Sequence, residues 1–268
     1  MCKESSFAAD YHQGADNDLL TRMTHKTRAL VLRSIKYGDS SLVVTMFTER
    51  FGLQTYMVNG VRTEKKSAQK AMQFQPGALL QLEAYHYPQK EMQRIKESNW
   101  AVLYQHLYSD VVKHSIALFL IELLHKCLKH PEENSDLFYF CEDALQQLDR
   151  ADATVTANFA LYFCLQLSHF FGFRLHDTSN ETTNWVGLDL VDGVLTDQLP
   201  AHAHLMQGEL VNHTMELLKV MHPEELRQFA FHHFTRRALL EQYIQFYALH
   251  IPDFGTLKTW KIIQEIFA

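Results

Sequence analysis

At 268 residues, 47% hydrophobic, 21% charged and with four cysteines, the chain has the composition of an ordinary globular protein of one or two cored domains, which excludes an intrinsically disordered chain or a disulfide scaffold. Its net charge of −6 conceals a division: residues 23–99 carry twelve Lys+Arg against six Asp+Glu, and residues 100–268 carry eleven against 21. No apolar run approaches the ~20 residues of a membrane helix, and the acidic start MCKESSFAADYHQGADNDLLTR lacks the basic and apolar regions of a secretion signal. Residues 1–22 therefore read as a disordered extension, with Met23 as the natural start.

The basic segment, residues 23–99, has the period of short strands. KTRALVLRSI (Lys26–Ile35) alternates around Ala29, Val31 and Ile35 and ends at the turn Lys36-Tyr37-Gly38-Asp39. LVVTMFT (Leu42–Thr48) is a β-branched run closed by Arg50-Phe51-Gly52, and LQTYMVNGV (Leu53–Val61) alternates again. A looser connection reaches Pro76-Gly77, after which Ala78–Tyr87 and Glu91–Glu97 predict a hairpin across Pro88-Gln89-Lys90. Five strands with one long connection after the third fit an OB-fold barrel; an SH3-like barrel has the same strand count.

The decoration of this segment carries the chemistry. Lys26, Arg28, Arg33 and Lys36 lie on or beside the first strand, with Tyr37 at its end and Arg50 in the next turn. Arg62, Lys65, Lys66 and Lys70 cluster in the long loop, while Arg94 and Lys96, two apart on the last strand, share a face. Cations laid along one groove neutralise successive phosphates and release counterions. Among the interleaved rings Tyr37, Phe47, Tyr56, Phe74, Tyr85 and Tyr87, those exposed would stack on bases, Tyr37 and Tyr56 being the candidates; the plainer alternative makes the rings core and the cations a solvated face.

From Trp100 onward the period becomes helical. Ser98 or Asn99 is expected to cap a helix from Trp100, followed by helices over Leu107–Lys129, Asp136–Asp149 and Thr156–Phe171, the last closed by Gly172. Residues 173–204 form an irregular insertion with a short hairpin expected around Asp192-Gly193. Helices resume at Leu205–Val220, from Pro223-Glu224-Glu225, at Phe231–His250 and at Leu257–Phe267. The expected fold class is thus α+β multidomain: an N-terminal five-stranded OB barrel, then an all-α domain.

Catalytic and metal motifs are missing. Cys2, Cys127, Cys141 and Cys164 show no CxxC spacing and read as reduced buried thiols; His202/His204 and His232/His233 lack the i,i+4 spacing of a zinc hydrolase; no phosphate loop or GxSxG occurs. Asp189 and Asp192 have no basic partner in sequence. The expectation is a non-enzyme without cofactor.

Thr27–Arg62 (TRALVLRSIKYGDSSLVVTMFTERFGLQTYMVNGVR) resembles the N-terminal OB domain of the RecO family of bacterial DNA repair proteins. The likeness continues through FQPGALLQLEAYHYPQKEMQRIKE (Phe74–Glu97), LSHFFGF (Leu167–Phe173) and RRALLEQYIQFYALHIPDFGTLKT (Arg236–Thr259), spanning nearly all of residues 23–268. This resemblance implies a cytoplasmic, nucleoid-associated recombination mediator. Such a protein binds single- and double-stranded DNA, anneals complementary strands and, with RecR, helps load RecA onto DNA coated by the single-stranded-DNA-binding protein. It also implies capture of that protein's acidic, Phe-ending tail by the helical domain, where Lys113, Lys126, Lys129 and His130 are the candidate contacts. Many relatives bind structural zinc through four cysteines after the Gly-Phe corresponding to Gly172-Phe173. Residues 174–200 hold no cysteine, and His176 and His202 do not have a ligand spacing, so no zinc is expected. An OB-type RNA binder, a protein–protein adaptor and a nuclease are the competing classes; the last lacks an acidic metal cluster in the basic segment.

Overall fold

The computed structural model describes residues 24–61, 71–179 and 184–266. The chain divides into two compact units between Val102 and Leu103. In the first, strands β1 (Thr24–Tyr37), β2 (Ser41–Thr48), β3 (Gly52–Val58), β4 (Leu79–Tyr85) and β5 (Met92–Trp100) close into a barrel ordered β1-β2-β3-β5-β4. Strand β4 returns antiparallel to β1, and β3 meets β5 in parallel over Thr55–Met57 and Met92–Arg94. This crossing order is the OB arrangement and sets aside a simple meander. Gly38, at φ +57°, makes the β1–β2 turn in a conformation that side chains disfavour.

The alternation on β1 is broken by a bulge. Val31 opposes Met46, but Arg33 opposes Thr45, leaving Leu32 as the extra residue. Upstream, Ala29 and Val31 point into the core with Val44, Met46, Tyr56, Leu80 and Leu82. Downstream, the inserted residue reverses the faces, so Arg33, Ile35 and Tyr37 point outward. Ile35, expected on the buried face, is 43% exposed for this reason.

A second correction concerns Trp100. It ends β5, paired with Leu80, and does not open a helix. The first described helix of the second unit, α1 (Val111–Cys127), starts where the Asp110 carboxylate accepts the Val112 and Lys113 N–H groups. Asn134 caps α2 (Ser135–Arg150) and Asp152 caps α3 (Ala153–His169). The connection into α1 is stapled by Asp149, whose carboxylate accepts the Gln105, His106 and Leu107 N–H groups at 3.0, 2.7 and 2.7 Å. Burial would raise the Asp149 pKa, but these donors outweigh it and hold the carboxyl below its ordinary value.

Helix α3 is central, packing on α1, α2, α4 (Glu209–Leu218), a 3₁₀ turn (Pro223–Gln228) and α5 (His233–His250). Two buried hydrogen bonds tie it to neighbours: Asn158 donates to the Phe229 carbonyl at 2.9 Å, and Tyr247 of α5 donates to the Cys164 carbonyl at 2.7 Å. Cys127, Cys141 and Cys164 are free, buried thiols whose pKa values burial pushes up. Glu122 of α1 accepts the Lys258 and Thr259 N–H groups and the Thr259 hydroxyl, which anchors the approach to the final helix α6 (Trp260–Ile266).

The insertion holds the expected hairpin, β6 (Gly187–Asp189) with β7 (Val194–Thr196), and an unexpected third strand, β8 (Leu205–Met206), paired to β6. Leu205, expected to open a helix, is in that strand because its backbone pairs with Asp189. Gly187 permits the approach: a Cβ there would lie 2.5 Å from the Met206 carbonyl. Buried Asp189 accepts the Val191 N–H at 2.7 Å and faces His202 Nε2 at 3.2 Å, while His202 Nδ1 accepts the His204 N–H. His176 Nε2 instead accepts from Arg174. Asp189, without a basic partner in sequence, thus finds one in His202, and this polar contact supplements ordinary packing in the cysteine-free insertion.

Candidate nucleic-acid interface

The register assembles one outer row across the barrel. Ile35 opposes Val43, Val43 opposes Met57, Met57 lies beside Arg94, and Arg94 opposes Tyr85. One step along, Arg33, Thr45, Thr55 and Met92 form a parallel row. With strands ~4.8 Å apart, three strand steps separate Ile35 from Arg94, or ~15 Å. The result is an outward-facing strip between two cations, half-buried at Val43, Thr45, Thr55 and Met57 and exposed at Ile35 and Met92. Tyr37, 58% exposed, stands at one end beside exposed Lys36. At the other end, Tyr85 and Tyr87 stack with centroids 6.5 Å apart and planes 10° from parallel. Lys90 Nζ lies 4.5 Å from the Tyr87 ring centroid, within cation–π range.

This end is built by Gln93, which β5 turns into the barrel. Its side chain accepts the Tyr87 N–H at 2.9 Å and donates to the Tyr87 and Lys90 carbonyls at 2.9 and 2.8 Å. One buried amide therefore sets the loop that presents Tyr87 and Lys90. Lys90 was not among the sequence candidates. Its signal was a cation in a Pro-Gln-Lys turn following two tyrosines of one strand face.

The other candidates divide by partner. Arg33 and Arg94 are exposed and carry no ion pair among the described residues. Lys96, expected to act with Arg94, instead sits at the β4–β5 bulge, where its Nζ lies 2.7 Å from Glu83 Oε1. The Lys96 hydrogen bond, then that from Thr24, hold the Glu83 carboxyl below its ordinary range, and Glu83 raises the Lys96 pKa. Lys26 opposes the same Glu83, and Arg28 opposes Gln81, so these cations lie on the β1–β4 side of the barrel, where Lys26 faces a carboxylate. Arg50 lies 5.7 Å from the Phe51 ring centroid, and Phe51 stacks on His86 with centroids 4.0 Å apart. Arg62, Lys65, Lys66 and Lys70 fall outside the described residues.

Tyr56 must be corrected. It is 1% exposed and belongs to the core, because β3 places it beside Val44 and Gln93 on the inward face. Phe47 and Phe74 are likewise fully buried. Burial pushes the Tyr56 phenol well above its ordinary range.

In the helical unit, Lys113 is also unsuited to an exposed contact: it is buried, with Nζ donating to the Asp149 carbonyl at 2.8 Å. Lys126 Nζ donates to the Phe254 carbonyl at 2.6 Å and lies 5.7 Å from that ring's centroid, so it holds its own chain. Lys129 and His130 are exposed beyond the end of α1. A separate cleft of about 500 Å³ opens among α1, α2, α3, α5 and α6, lined by Val112, Ala157 and Ile266 together with His106, Arg150 and Arg236. Within its lining, the buried Thr156 hydroxyl has no hydrogen-bond partner among the described residues.

Residues 23–104 match the model for Recombination protein O N terminal, and residues 108–184 that for Recombination protein O C terminal. The chain is 33% identical over 248 residues to the DNA repair protein RecO of Flavobacterium johnsoniae, covering 92% of this chain and all of that one. It is 30% identical over 246 residues to the DNA repair protein RecO of Phocaeicola vulgatus, again over 92% of this chain and all of the relative. It is 27% identical to that of Porphyromonas gingivalis, over 90% of this chain and 98% of the relative. A closed five-stranded barrel followed by a helical unit, both matched along their length by one family, shows that this chain belongs to the RecO family of DNA repair proteins.

Proposed function

We propose that this protein acts by binding rather than bond-making chemistry, as a mediator that holds single- and double-stranded DNA on the outer face of its barrel and promotes annealing of complementary strands. With RecR, it would help load RecA onto DNA coated by the single-stranded-DNA-binding protein. The observation that carries the reading is the cross-strand row ending in Arg94 and Tyr85, flanked by Arg33, Lys36 and Lys90. Cations of this kind neutralise phosphates without reading sequence, which leaves base edges free to pair and makes affinity steeply salt-dependent. The partner protein's acidic, Phe-ending tail suits the α1–α3–α5 cleft better than the Lys126 edge. The cleft sets apolar Val112, Ala157 and Ile266 beside exposed Arg150, although Asp110 also lines it and Arg236 is held by the Phe231 carbonyl, whereas Lys126 is engaged with Phe254.

The test is annealing of complementary oligonucleotides coated with single-stranded-DNA-binding protein, across a salt series. Acceleration that fades with salt and is lost in the R33E/R94E double variant supports the mediator. A protein that binds no DNA at low salt is an adaptor, and one that prefers 2′-hydroxyl ligands is an RNA binder. For the tail, unchanged peptide binding by R150E rules out the cleft.

A further inference from the structure

Beyond Arg94 the parallel pairing ends: β3 stops at Val58 while β5 continues to Trp100. The gap between them is a groove of about 450 Å³ that opens beside Arg94, within the range of small-ligand clefts. Its walls are pre-formed. Gln73 Nε2 donates to the Ser98 carbonyl at 3.0 Å, and the Ser98 hydroxyl donates back to Gln73 Oε1 at 3.1 Å, with Phe74 fully buried behind them. Three polar groups at the mouth remain for a ligand. The Asn59 Oδ1 accepts from Ser41, which leaves its NH₂ as a donor. The exposed Asn99 side chain makes no hydrogen bond among the described residues, and Glu97 supplies a carboxylate acceptor in the same lining. Lys96 also lines the groove, but it is paired with Glu83, and Glu97 adds a second carboxylate, which makes the groove a poor seat for phosphate. Donors and an acceptor together, beside a cation, match instead the edge of one unstacked base whose phosphate lies on Arg94.

We propose that this groove is a nucleobase pocket, taking one unpaired base of a single strand and favouring a base with an exocyclic amine, which would donate to Glu97. The inference rests on the reading of the outer face as the DNA surface. It adds to that face a way to distinguish single strands, whose bases are free to turn in, from duplex, whose bases are paired.

The experiment measures anisotropy of the full-length protein with labelled oligodeoxycytidine, oligothymidine, an abasic strand of equal length and a duplex. The wild type is expected to bind oligodeoxycytidine about tenfold more tightly than the abasic strand, equivalent to ~1.4 kcal/mol. N99L, or N99A should the bulkier residue disturb β5, lowers that ratio severalfold and leaves duplex affinity unchanged, while E97Q removes the preference for cytidine over thymidine. Tyr85→Ala lowers both base-bearing strands alike and so separates stacking from the pocket. A base-to-abasic ratio unmoved by either Asn99 substitution overturns the pocket while the outer face stands. No binding of any strand at low salt overturns both.

Discussion

Replacing Arg33 and Arg94 with alanine tests the assembled face against the sum of basic residues in the barrel. Both guanidiniums are exposed, without ion pairs among the described residues, and lie at opposite sides of a strip that spans four strands. If each holds one phosphate, the slope of log K against log [salt] should shrink by about 1.4 on single strands and about 1.8 on duplex, from ~0.7 and ~0.9 per phosphate. Lys26→Ala is the control. It removes one charge from the same barrel, but opposite Glu83, where Lys96 already competes for that carboxylate, so its slope should change by less than half as much as that of Arg33→Ala or Arg94→Ala alone. The assay is fluorescence anisotropy across ~50–200 mM salt, the span over which phosphate contacts express their salt dependence. An unchanged slope in the double variant, or an equal loss in Lys26→Ala, would refute the argument that cross-strand pairing decides which cations reach DNA.

Three further outcomes are expected. Gln93→Ala should cost about 1–3 kcal/mol in urea unfolding, because it orphans the Tyr87 N–H and the Tyr87 and Lys90 carbonyls, and should weaken DNA binding by loosening the loop. The bulge at Leu32 predicts opposite results two turns of alternation apart: Ile35→Lys should change stability by less than about 0.5 kcal/mol and tighten DNA binding, whereas Val31→Lys, entering a fully buried site, should unfold the barrel by circular dichroism. The Asp149 staple contributes an acid-sensitive increment. Its folded pKa is depressed, so the stabilisation is complete above the unfolded value of ~3.9 and is lost as pH falls through the folded value. D149N should therefore be less stable than wild type near neutral pH, and the difference should narrow below about pH 4 in acid titrations followed by tryptophan fluorescence.

Much of the architecture was legible because its signals are local. Strand alternation, the Gly38 and Arg50-Phe51-Gly52 turns, and the Asn134 cap act within a few residues, so β1–β4 and α1–α3 lie close to their expected places. The errors fell where a distant backbone decides. Trp100 is extended because Leu80 pairs with it, and Leu205 because Asp189 does. Neither neighbour is visible in the local period.

The distribution of charge was determined by the sequence alone: a basic barrel segment and an acidic helical one follow from composition and survive any rearrangement within each unit. Which cations act together was decided by tertiary structure. One inserted residue at Leu32 turns Arg33 and Ile35 outward; parallel pairing with β5 brings Arg94 beside Met57; and Glu83, 13 residues from Lys96, withdraws that lysine from the set. Strand register has a period of two, so a single bulge exchanges faces, and no local pattern of side chains can reveal which strand will lie alongside.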